Sequence, residues 1–223
     1  MSLTTNLVAY YKLDGNSNDS VGSNNGTDTS VSYSSSYGKI NEGASFNGSS
    51  SRIWTNNNLG LSTSSDKTFG MWYYRTGGAT SFTLDYRNNT GGNFSLVFFT
   101  NGTGGINFNC KGTDVVISSS LSTNTWYYLT ATISGTTLTA YINGSSIGSG
   151  TIGSGTASTN NLSLSCYADA SGGYFQGYLD EVGIWSRALS STEVSQLYNS
   201  GAGLQYPFTT NKPSLFPFFN QYL

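Results

Sequence analysis

Eleven carboxylates and no histidine bound the chemistry open to this 223-residue chain. Without an imidazole there is no Ser-His-Asp relay, no ordinary general base near neutral pH and little means of building a zinc site. Paired carboxylates remain, and these hydrolyse glycosidic bonds with retention when they stand about 5 Å apart. The glutamates are Glu42, Glu181 and Glu193, and none of them is spaced to share a strand face with a second carboxylate. Asp180 and Glu181 are adjacent, so on a regular strand they point to opposite faces and are not expected to cooperate. Asp66, Asp85, Asp114 and Asp169 stand near the ends of expected strands and meet only if the fold brings them together. Catalysis is not expected.

Binding needs less. Sugar rings stack their C–H faces on exposed aromatics while amides and carboxylates fix the hydroxyls. The residues suited to this are Trp54, Tyr86 with Asn88, and the loop running from Asp169 through Tyr174 and Phe175. The competing reading for each is ordinary packing, since most Tyr and Trp of a β-protein are core or sheet-face residues. Two cysteines, Cys110 and Cys166, share alternation parity with their apolar neighbours and are expected to face the interior. Buried thiols and an internal disulfide both satisfy that parity.

Charge excludes other partners. Only 9% of residues are charged, against about 25% in an ordinary soluble domain. Nine basic residues, scattered singly in a chain of net charge −2, leave no footprint for a phosphate backbone, so no nucleic acid is expected. No apolar run approaches the roughly 20 residues of a spanning helix, so no membrane insertion is expected. The first residues lack a cationic start and an apolar stretch, so no signal peptide is expected in this chain. An extracellular or virion-surface location then requires a leader already removed, or release by lysis.

Gly, Ser, Thr and Asn make up just over half of the chain, and 14% is aromatic. The segments alternate apolar and polar with period two, broken by Gly/Asn/Ser turns roughly every eight to twelve residues. Strands are expected at 7–13, 44–46, 52–55, 67–75, 81–87, 94–100, 106–110, 115–118, 125–134, 138–143, 162–168 and 173–188. The Asn143-Gly144 pair suits a hairpin turn. One helix of about ten residues is expected after the capping box Ser190-Ser-Thr-Glu193, with Val194, Leu197 and Tyr198 on one face and Gly201 as its stop. The expected fold is all-β, a two-sheet antiparallel jelly-roll sandwich over 1–203 with one short C-terminal helix.

All three prolines lie in the tail, 204–223, beside Tyr206, Phe208, Phe216, Phe218, Phe219 and Tyr222. Proline cannot join an interior strand, so this is an extended docking or assembly ribbon. It packs on its own domain, or it joins another subunit or another surface protein.

Four collinear stretches then carry a resemblance. They are Leu7-Val-Ala-Tyr-Tyr-Lys-Leu-Asp14, Ala44-Ser-Phe-Asn47-Gly, Trp126-Tyr-Tyr-Leu with Leu138-Thr-Ala-Tyr-Ile-Asn143-Gly, and Gly177-Tyr-Leu-Asp180-Glu-Val-Gly-Ile-Trp185 through Glu193. Together they resemble the laminin G-like, concanavalin A-type jelly rolls. That resemblance implies a structural calcium ion held by Asp14 and Asp180, with Asn18, Asp19 or a carbonyl near Asn47 completing an oxygen shell. The competing reading is that Asp14 makes an Asx-turn and Asp180 pairs with backbone amides. The fold hosts lectins, glycosidases, adhesion modules and spacers. The expectation for this chain is a non-catalytic surface or virion protein that assembles or anchors through its tail and contacts glycans; the alternative is a lectin-type carbohydrate-binding module of a secreted bacterial protein.

Overall fold

Along Lys67–Arg75 the side chains of Phe69, Met71 and Tyr73 enter one buried cluster, while Trp72 and Tyr74 belong to the opposite face. This alternation, repeated from strand to strand, builds the layers. The computed structural model describes residues 1–55, 59–61, 66–78, 80–87, 95–100, 105–110, 113–152, 162–167 and 170–208. Its strands are β1 Leu7–Tyr11, β2 Gly26–Thr29, β3 Ser32–Ser34, β4 Gly43–Asn47, β5 Arg52–Thr55, β6 Lys67–Arg75, β7 Ser81–Arg87 and β8 Ser95–Thr100. They continue as β9 Gly105–Cys110, β10 Thr113–Ser120, β11 Trp126–Ser134, β12 Thr137–Ile142, β13 Ser145–Thr151, β14 Ser163–Leu164 and β15 Gln176–Trp185, followed by the helix α1 Ser191–Tyr198.

The strands form two antiparallel sheets. One runs β13-β12-β11-β6-β15-β4-β3, with β1 also paired to β15; the other runs β10-β9-β8-β7-β14-β5-β2. Their inner faces close one core, with Phe69, Leu129, Leu179 and Ile184 from the first sheet meeting Ile53, Leu84, Phe98 and Phe108 from the second. A second cluster lies outside the first sheet. There Trp72, Tyr128, Tyr141 and Trp185 are buried under Leu3, Leu189, Val194 and Leu197. The fold is the expected sandwich with a third, partial layer.

The helix has its capping box: Ser190 Oγ accepts from the Glu193 N–H, and Glu193 Oε2 accepts from the Ser190 N–H. It is shorter than its periodicity suggests. Asn199 takes a left-handed conformation (φ 48°) and ends it after Tyr198, two residues before Gly201. Asn143 and Gly144 both have positive φ and close the β12–β13 hairpin as expected. The 162–168 segment is corrected to the two residues of β14, because Ser165 turns to positive φ immediately afterwards. Cys166 is buried, with its Sγ 3.2 Å from Ser163 Oγ. The side chain of Cys110 lies outside the described residues.

Candidate functional site

The outer face of the first sheet is aromatic over its central strands. Trp126 of β11 pairs in register with Tyr74 of β6, and Tyr74 with Tyr178 of β15. A residue in register on the same face of a neighbouring strand is a contact partner, so the three rings form one cross-strand row. Trp126 and Tyr74 have centroids 5.2 Å apart, and Tyr74 and Tyr178 are stacked at 5.1 Å with planes 17° apart. Tyr37, from the loop after β3, extends the row with its ring 4.8 Å from Tyr178. All four residues are only half-buried.

One step along the same strands, the row of Tyr128 and Trp72 is buried. Trp72 packs against Tyr128, the Trp126 edge and the Tyr198 ring of α1. Lys39 places its ammonium 4.8 Å from the Trp72 ring centroid. The segment 203–208 runs over the same region as a strap. Gly203 opens it at φ +77°, and a Cβ there would come within 2.8 Å of Trp72 Nε1. Phe208 closes it, its ring 6.4 Å from Trp185 and edge-on to Tyr10 at 5.2 Å. Tyr206 lies 5.9 Å from Tyr10. These two tail aromatics therefore pack on their own domain. Phe216, Phe218, Phe219 and Tyr222 lie outside the described residues.

Beneath the strap sits a buried acid pair. Glu181 has φ 52°, and the register of β15 slips between Asp180 and Gly183, which marks a β-bulge. Expecting Asp180 and Glu181 on opposite faces is therefore wrong. The bulge delivers both into the notch on β15 between β4, which pairs up to Leu179, and β1, which pairs from Val182. Asp180 Oδ2 accepts from the Lys39 and Ile40 N–H groups at 2.7 and 2.8 Å, while its Oδ1 is buried without a hydrogen bond. Tyr10 donates its hydroxyl to Glu181 Oε2 at 2.5 Å, and the Gln205 amide donates to both Glu181 Oε1 and Asp14 Oδ2. Burial, then mutual repulsion, raises the Asp180 carboxyl to about 9. Burial raises Glu181 to about 8 against the opposing hydrogen bonds of Tyr10 and Gln205. Both carboxyls are sealed from solvent, at 0% and 1% exposure, and so out of reach of a substrate.

The five residues expected around calcium are not brought together. Asp19 spends its oxygens on the Tyr10, Val21 and Asn24 N–H groups and the Asn24 amide. Asn47 Oδ1 accepts from the N–H groups of Ser49, Ser50 and Ser51 and organises that turn. Asn18 is exposed, its N–H donating to Asn16 in an Asx-turn. Asp14 and Asp180 share a neighbourhood with Glu181, but Gln205 and backbone amides already hold them. Among the described residues no group of three acidic or thiol side chains is placed to hold a metal.

The expected aromatic contacts are scattered as well. Tyr86 is fully buried against Phe69 in the central core, which removes it as a contact residue. Trp54 is half-buried on the second sheet with the Arg52 guanidinium 5.9 Å from its ring centroid. Tyr174 donates its hydroxyl to the Ala170 carbonyl. Asn88 and Asp169 lie outside the described residues. The row of Trp126, Tyr74, Tyr178 and Tyr37 was missed, although the outward parity of three of them is readable once the inward parity of Tyr73, Leu129 and Leu179 is fixed.

Residues 46–195 match the family model Laminin_G_3, described as the concanavalin A-like lectin/glucanases superfamily. Among similar solved structures is domain 4 of AbnA, an extracellular GH43 arabinanase of Geobacillus stearothermophilus, in complex with arabinotriose. The TM-score is 0.68 at 21% identity, covering 85% of this chain and 96% of that one. The binding domain of Paraclostridial Mosquitocidal Protein 1 gives 0.68 at 21% identity, over 88% and 52% of the two chains. The botulinum neurotoxin serotype D binding domain gives 0.69 at 15% identity, over 88% and 51%. The chain thus spans about half of each toxin domain, and at these identities the likeness is one of fold. No curated protein sequence matches it.

Proposed function

The chain belongs to the concanavalin A-like lectin/glucanases superfamily, and on that premise we propose that it is a non-catalytic carbohydrate-binding module of lectin type, exposed on a secreted or surface protein. The observation that carries this reading is the half-buried row Tyr37–Tyr178–Tyr74–Trp126, on a face whose neighbouring half is capped. Amphipathic rings in a half-buried row offer apolar surface to sugar C–H groups and hydroxyls to their polar edges. Similar structures named as binding domains, and a domain solved with arabinotriose, support binding over pure assembly. The docking of Tyr206 and Phe208 on their own domain points the same way, since it withdraws them from a partner.

A glycan array that includes arabinan oligomers tests the reading. The chain is expected to bind at least one glycan class, and the double variant Tyr74→Ala/Tyr178→Ala to lose about tenfold or more in affinity with its circular dichroism unchanged. Silence on the array, or a double variant that binds as the parent does, contradicts it.

A further inference from the structure

We propose that the aromatic row selects a glycan carrying a carboxylate, of the uronic- or sialic-acid type, and that Lys39 is the residue that reads its charge; this rests on the glycan-binding reading of the row. Lys39 belongs to the same loop as Tyr37. Its own N–H and that of Ile40 are fastened to Asp180 Oδ2, so the loop that carries both side chains is pinned to the sheet. The ammonium sits over Trp72, whose ring meets the Trp126 edge at 6.5 Å, which puts the cation at the flank of the row.

This cation lacks an anion. Among the described residues no carboxylate lies within ion-pair distance of Lys39, and the ion pair described is Arg187 with Glu193, beside α1. Asp180, which holds the Lys39 N–H, and its neighbour Glu181 are sealed below the surface, with Asp180 Oδ2 turned to backbone amides and the Glu181 oxygens to Tyr10 and Gln205. A cation that rests on Trp72, beside the half-buried row and without a carboxylate partner among the described residues, is a ready site for an external anion. Aromatic walls lower the local dielectric, so a sugar carboxylate docking there gains a charge-assisted hydrogen bond that a neutral sugar cannot make.

Matched probes isolate the charge: oligogalacturonate against its methyl ester, and a sialylated glycan against the same glycan with its carboxylate amidated. The acid form of at least one pair is expected to bind about tenfold more tightly, with a preference that shrinks as salt rises. Lys39→Gln is expected to abolish the preference, bringing the acid and neutral forms of each pair to the same affinity. Equal binding of acid and neutral forms in both pairs overturns the charge reading and leaves glycan binding standing; so does a preference that survives Lys39→Gln. Failure to bind any glycan overturns both, and binding of an acidic peptide alone assigns the face to a protein partner instead.

Discussion

Two halves of one sheet face share strands, outward parity and residue types, yet differ in cover. In the first half Trp72, Tyr128 and Trp185 lie under α1, Leu3 and the strap, and their rings are buried. In the second, Trp126, Tyr74 and Tyr178 have Tyr37 beside them and stay half-buried. The capped patch is a second core, whereas the half-buried patch carries the proposed contact. The comparison therefore separates rings that hold the domain together from rings proposed to meet a ligand.

Substitution breaks or sharpens that contrast most directly. Trp185 is fully buried and donates its indole N–H to the Leu3 carbonyl at 2.7 Å. Trp185→Ala is expected to cost about 3–5 kcal/mol in urea denaturation, whereas Trp126→Ala is expected to cost no more than about 1 kcal/mol. Equal losses would erase the distinction.

Proton linkage gives a smaller effect, confined to the covered half. With folded values of about 9 for Asp180 and about 8 for Glu181, both above the usual carboxylate range, the native state keeps protons that the unfolded chain has already released. Stability from this pair is then complete below about pH 4 and drains away as pH climbs through 8 and 9. Asp180→Asn keeps an oxygen for the Lys39 and Ile40 N–H groups and turns an amide donor toward the acids. It is expected to flatten the decline and to gain roughly 1–3 kcal/mol at pH 9. A melting temperature that rises from pH 6 to pH 9 in the parent would contradict the buried pair.

The sequence made the inner layers legible because alternation and packing agree there. Lys67–Arg75 and Ser81–Arg87 were found to the residue, and the Ser190–Glu193 box marked the start of the helix. Gly26–Thr29, Ser32–Ser34 and Ser145–Thr151 were missed because edge strands of Gly, Ser and Thr carry no apolar period; neighbouring strands hold them in place. The Asp180–Glu181 geometry was misread for a different reason. Period-two reasoning assumes a regular strand, and Glu181, bulged at φ 52°, puts its own side chain on the face of Asp180 while Val182 returns to the core. The aromatic row was hidden because its degree of burial depends on what packs above it. Tyr74 and Trp72 have the same parity on one strand, and only the placement of the helix, strap and Lys39 loop tells them apart.

The most direct measurement is a chemical-shift map of the isotopically labelled chain titrated with a glycan that binds it on an array. The account predicts perturbations centred on Tyr37, Tyr74, Trp126 and Tyr178, with the Trp54 and Tyr174 surfaces unmoved. A footprint centred on Trp54 or Tyr174, with the row silent, would contradict it.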